Sequence, residues 1–162
     1  MRKLLIVSSS DFVNVGREFL YDYDKQSLLS SFRNLQSCDE RLDALDLIKS
    51  EFKKLDRIPT DVLDFIIFTN ISNCVSLEQA AKEHNIAKEL ISDLKKFISS
   101  YNTYKLTKGC FDTIDILNLF NNLLDNNCIR KDILENYKFE FKLNYTESPR
   151  LIKSIIDKLT VD

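Results

Sequence analysis

Two glycines and two prolines in 162 residues leave this chain few places to turn tightly. All-β folds need many such turns, and phosphate-cradling loops need clustered glycines, so the composition argues against both. What remains is a string of amphipathic helices. The fold expected is all-α, a compact multi-helix bundle over residues 1–162. At 18.9 kDa the chain buries roughly 70% of its extended surface, enough for a core. Apolar residues at 44% and charged residues at 30% mark a folded chain. No apolar run approaches the ~20 residues needed to cross a bilayer. Leu4-Leu5-Ile6-Val7 is too short for the core of a signal peptide. The expectation is a cytoplasmic protein.

Apolar spacing places the helices. The first begins near Asp11 and fades near Asp24, with Phe12, Val15, Phe19 and Leu20 on one stripe. A short helix is expected around Ser27 to Leu35. Another runs from Asp39 to Leu55 with Leu42, Leu45, Phe52 and Leu55 inward. Pro59 and Thr60 end one element and cap the next, Asp61 to Asn73. That helix is apolar nearly all round and is expected to be the buried central one. Ser76 to Glu83 and Lys88 to Tyr101 follow, with a break at Gly109. Phe111 to Leu124 reads as a helix, and Asn126-Asn127 as a turn. Asp132 to Tyr145 is read as a helix, although Phe139, Phe141 and Leu143 alternate with Glu140 and Lys142 as in a strand. Ser148 as N-cap and Pro149 at the first position open the last helix, with Leu151, Ile152, Ile155, Ile156 and Leu159 inward. Lys3 to Val7 has strand character but no evident partner.

Ser76 to Leu94 fits a helix-turn-helix template. Ala81 is small where two helices cross, Asn85 suits a left-handed turn, and Ile86, Ile91 and Leu94 are expected inside. Glu89 and Asp93 on the second helix would repel phosphate. Two packed helices without a DNA role are the plainer reading.

Catalytic signatures are lacking. Asp22, Asp24, Asp39, Asp43 and Asp46 lie on polar faces, and no serine or cysteine sits in a nucleophile motif. His84 has no partner at ligand or triad spacing. Cys38, Cys74, Cys110 and Cys128 form no C-x-x-C pair, so four reduced, buried or half-buried thiols are expected, with no metal or cofactor. The chain does not read as an enzyme. Net charge is −2. Any nucleic-acid contact must therefore come from a local basic patch. Basic residues gather at Arg2-Lys3 with Arg17, at Lys49, Lys53, Lys54 and Arg57, at Lys88, Lys95 and Lys96, and at Arg130-Lys131 and Arg150-Lys153.

The C-terminal third resembles the NusB family of transcription antitermination factors. The resemblance is carried by Ile114-Asp115-Ile116-Leu117-Asn118-Leu119, Leu123-Leu124, Ile129, then Asn136 followed four residues later by Glu140. It closes with Glu147 to Leu159, and Arg17 to Asp24 looks like the end of the family's first helix. It implies two packed helical subdomains and a non-enzymatic factor that binds short single-stranded RNA and the ribosomal protein NusE, loading both onto RNA polymerase. By that resemblance Arg2, Lys3 and Arg17 hold RNA phosphates, Arg150 and Lys153 extend the strip, and Tyr21, Glu147 and Leu151 face the partner. Tyr21 or Tyr23 would stack on a base. The oligomeric state implied is a monomer or weak homodimer. The family's arginine-rich opening run is reduced here. Its terminal Asn and Gly are Lys153 and Ser154, its Tyr-Glu pair is Asn122-Leu123, and Arg130 replaces a proline. A β-ribbon at Phe139–Leu143, or chain ends on opposite sides, would contradict the identity. Two other readings stay open: a helical adaptor that binds only protein, and a helix-turn-helix DNA-binding protein.

Overall fold

A computed structural model of the chain describes residues 1–23, 33–35 and 38–160. In chain order the elements are β1 (Arg2–Ile6), α1 (Ser9–Tyr23), β2 (Arg33–Leu35), α2 (Cys38–Lys49), α3 (Thr60–Ser72), α4 (Leu77–Glu83), α5 (Ile91–Lys108), β3 (Cys110–Asp112), α6 (Thr113–Leu123), α7 (Asn127–Asn136), β4 (Tyr137–Phe141) and α8 (Arg150–Leu159). Single 3-10 turns lie at Lys53–Leu55 and Lys88–Leu90. The architecture is mostly α. The helical expectation holds for most of the chain, and among the described residues four short strands add two parallel two-stranded ribbons, β1 with β4 and β2 with β3. The chain divides into two compact units, Met1–Ser30 with Thr113–Asp162, and Ser31–Asp112.

The first unit joins the two ends of the chain. Asp11 caps α1: its carboxylate accepts from the backbone N–H groups of Val7 and Ser8, at 2.8 and 3.1 Å. Phe12, Val13, Gly16, Phe19 and Leu20 turn inward, and α6 packs between α1 and α8. Phe19 stacks on Phe120 with ring centroids 5.9 Å apart and meets Tyr137 edge-on at 5.0 Å. All five apolar residues expected on the inner face of α8 are buried. Its start differs from expectation. Pro149 occupies the N-cap position and the Ser148 hydroxyl donates to the Asn144 carbonyl instead of capping. Lys158 reaches from α8 to the Asn121 carbonyl, at 3.1 Å, and to Asp125, at 2.7 Å. A cation thus satisfies the C-terminal end of α6.

The helix expected over 132–145 stops at Asn136. From Tyr137 the chain is a strand, registered with β1 so that Leu4 opposes Phe139 and Ile6 opposes Phe141. The alternation of Phe139, Phe141 and Leu143 was the decisive signal. Its partner, Arg2–Ile6, overlapping the strand character read at Lys3 to Val7, lies at the far end of the chain, so neither strand could be recognised from its neighbours in sequence. Asn136 and Glu140 consequently do not share a helix face.

Gly16 faces Phe120 so closely that a Cβ would lie 3.0 Å from its ring. Gly16→Ala gains helix propensity of about 0.5–1 kcal/mol but overpacks a contact at a cost of about 1–3 kcal/mol. A net loss of stability is expected in urea unfolding. Phe120→Leu in the same background should restore part of it.

Tyr23 donates a short hydrogen bond to the Asp132 carboxylate. That bond, with burial and the Asp132 charge, pushes the phenol up to about 12. A raised folded pKa means the contribution is complete below the unfolded value near 10 and is lost as pH climbs through about 12. Wild-type stability should therefore fall more steeply than that of Tyr23→Phe between pH 10 and 12. Parallel alkaline melting curves would contradict this.

The second unit has a core of Leu45, Leu55, Leu63, Ile66, Ala80, Ala81, Leu94, Phe97 and Tyr101. Arg41 of α2 grips Asp64 of α3 with two bonds, at 2.8 and 2.9 Å. Ser27 to Phe32 of the short helix expected near residue 30 lies outside the described residues, as does Asp24. Arg33–Leu35 is strand, paired with Cys110–Asp112. α3 is not buried all round: Phe65 is 56% exposed and Phe68 38%, while Thr69 and Ser72 are buried. Thr60 does not cap it. Pro59 holds the N-cap position, and the Thr60 hydroxyl donates to Asp46.

Candidate nucleic-acid interface

Ser76 opens α4, its hydroxyl accepting from the Gln79 N–H at 3.1 Å. Nine residues later the helix closes on Asn85, which takes φ +59°. The Ile86 N–H returns to the Ala81 carbonyl at 2.9 Å and the Asn85 N–H to the Lys82 carbonyl at 3.1 Å. This paired return is the Schellman closure. It requires a left-handed residue at the position of Asn85, and asparagine tolerates that conformation better than a bulky side chain. Ala80 and Ala81 are wholly buried, which lets α4 seat closely against α3 and α5. The chain then passes through Ile86 and Ala87 into the 3-10 turn and α5, anchored by Leu94 and Phe97. Helix, four-residue turn and second helix reproduce the template read from Ser76 to Leu94. Ile86 and Ile91 are only half-buried.

Burial of Leu94, Phe97, Tyr101 and Lys105 fixes which side of α5 is outward. Ser92, Lys95, Lys96 and Ser99 are exposed along it, with Lys88 leading in. Spacings of three and four place Ser92, Lys95, Lys96 and Ser99 on one stripe of α5. Asp93, expected to repel phosphate, has a side chain 21% exposed, 4.0 Å from the Lys54 ammonium. The turn Lys53–Leu55 lies alongside α5, seated by buried Leu55 and by Phe52 edge-on to Phe97. Glu89 remains exposed. Glu78 holds Lys95 at 2.9 Å, and the hydrogen bond from that ammonium keeps its carboxyl below the usual range. Between α4 and the start of α5 lies a cleft of about 760 Å³ lined by Gln79, Lys82, Ile86, Ala87, Lys88 and Ile91.

Of the residues assigned by resemblance to RNA and protein contacts, three converge. Arg2, Arg17 and Tyr21 line a cleft of about 430 Å³ in the first unit, with Glu18, Asp22 and Tyr137. Two carboxylates thus face two guanidinium groups, so the cleft is not a basic strip. Lys3 sits on the opposite face of β1 from Arg2. Arg150 and Glu147 are exposed near the start of α8, and Lys153 lies over the Tyr145 ring at 5.7 Å. Leu151 is 2% exposed and belongs to the core, so it is not a partner contact. Tyr23 is held by Asp132 and is not free to stack on a base.

Sequence reasoning missed the buried group at the end of α5. The hydroxyl of Tyr101 and the ammonium of Lys105 both donate to Asp112, at 2.8 and 3.2 Å. The signal was available: Lys105 continues the inner stripe of Leu94, Phe97 and Tyr101. Among the described residues no group of three or more metal-ligating side chains occurs. No helix among them is long and apolar enough to cross a membrane. No family model matches the chain, and comparisons with curated proteins and with solved structures return no match.

Proposed function

We propose that the second unit binds double-stranded DNA through its helix-turn-helix, with α5 entering the major groove. The observation that carries this is the outward stripe of α5, where Ser92, Lys95, Lys96 and Ser99 are exposed, with Lys88 exposed in the turn that leads into it, beyond a closed α4–turn–α5 corner. Lysines at its edges suit phosphates, and small hydroxyls at its centre suit base edges. Of the two carboxylates that oppose phosphate here, Asp93 is only 21% exposed, while Glu89 stays exposed. Affinity of the full chain for a 20–30-base-pair duplex should fall with salt, with a log–log slope of about −2 to −4, for two to four phosphate contacts. Fluorescence anisotropy at several salt concentrations measures it. Absence of duplex binding at low salt would exclude the reading.

A second reading, single-stranded RNA binding, is supported by the cleft where Arg2, Arg17 and Tyr21 meet, a cleft that Glu18 and Asp22 share. The antitermination identity is not carried with it, because Phe139–Phe141 is a strand paired with β1. Arg2→Ala/Arg17→Ala distinguishes the two, because it should weaken RNA binding and leave duplex DNA binding unchanged.

A further inference from the structure

The ribbon of β1 and β4 has an inner and an outer face. Ile6 and the rings of Phe139 and Phe141 belong to the inner one, where Phe141 stacks on Phe12. On the outer face the register sets Lys3 beside Lys138 and Leu5 beside Glu140. The Lys142 N–H donates to the Ile6 carbonyl at 2.9 Å, which extends the ladder and carries Val7 and Lys142 onto the same face. Leu5 is 50% exposed and Val7 53%. Lys3, Lys138, Glu140 and Lys142 are exposed around them. A sheet face with aliphatic side chains at its centre is ordinarily covered by another element, and exposed apolar surface rimmed by charge marks interaction sites.

Charge decides what covers it. Three ammonium groups against one carboxylate make the face cationic, so a second copy laid face to face would be repelled. Leu5 and Val7 offer no ring on which a base could stack. We propose that this face docks an acidic amphipathic segment of another protein, its aliphatic stripe on Leu5 and Val7 and its carboxylates toward Lys3, Lys138 and Lys142. This surface is independent of the DNA reading. The chain then has one unit for nucleic acid and one for a recruited acidic partner.

Random-peptide display on the immobilised full chain, followed by anisotropy with the selected peptides, tests it. Selected sequences should carry Asp or Glu around aliphatic residues at helical spacing. Leu5→Ser/Val7→Ser should weaken them at least tenfold. Lys138→Glu/Lys142→Glu should do the same, and should bind lysine-flanked versions more tightly than wild type does. All four positions are exposed, and unchanged melting temperature and duplex DNA binding verify the fold. Selected peptides that are not acidic, or that ignore both variants, would overturn the proposal. So would phosphatidylcholine–phosphatidylserine vesicles (7:3) binding through Leu5 and Val7 while no peptide is selected. A sedimenting dimer abolished by Leu5→Ser/Val7→Ser would equally overturn it, in favour of a second copy.

Discussion

Lys105→Met is expected to destabilise the second unit by about 3–5 kcal/mol, the range for removing one partner of a buried ion pair. The Lys105 and Asp112 side chains are 7% and 4% exposed, and their atoms are 3.2 Å apart. Lys105 also covers the Tyr101 ring, with the ammonium 4.5 Å from its centroid. Methionine retains much of the stem's packing, so the loss isolates the charge. It leaves a carboxylate buried without the ammonium that faces it, and desolvation makes that state costly. Lys105→Met/Asp112→Asn removes both charges and should cost clearly less than the sum of the single changes. Urea unfolding of the four proteins gives the coupling directly. Additive single effects would show that the two groups do not act as a pair.

The same ion pair bears on the interface. Asp112 belongs to β3, which lies just past the αL closure of α5 at Gly109, with φ +61°. Binding Tyr101 and Lys105 to β3 fixes the last turns of α5 against the strand. The rotation of α5, and so which residues face outward, rests on this lock together with Leu94 and Phe97.

Charge reversal on the outward stripe is the second large effect expected. Lys88→Glu/Lys96→Glu should weaken duplex binding more than 100-fold at low salt. The neutral pair Lys88→Ala/Lys96→Ala should reduce the salt slope by about two, one for each lost phosphate contact. Both lysines are exposed and neither belongs to an ion pair among those described, so folding should be unaffected. Lys95 is the poorer choice because Glu78 already engages it. An unchanged slope in the alanine pair would place phosphate contact elsewhere.

Elements whose signals are local were legible in the sequence. Ser76 as a cap, Ala81 at a crossing, Asn85 in a left-handed position, the break at Gly109 and the inner stripe of α8 all depend on residues within a few positions of one another. What sequence reading lost was non-local. β1 and β4 each need the other, and they stand at opposite ends of the chain. Helical periodicity also misjudged α3, because an apolar circumference does not say how many sides are covered; two of its phenylalanines are exposed. At the candidate site the lysines of α5 were visible as a cluster, but its carboxylates were read as one repulsive set. Only the fold distinguishes Asp93, which is half-buried, from Glu89, which stays outward. Likeness to a family, not a local signal, points to the RNA-oriented residues, and the fold gathers Arg2, Arg17 and Tyr21 while burying Leu151.

Photo-crosslinking tests the central claim most directly. A benzoylphenylalanine at Ser92 of α5, and separately at Tyr21 of the first unit, should be irradiated with duplex DNA and with single-stranded RNA. Crosslinks to duplex DNA from position 92 and none from position 21 are the expected result. Crosslinks confined to position 21, or to RNA alone, would contradict a DNA-reading helix-turn-helix.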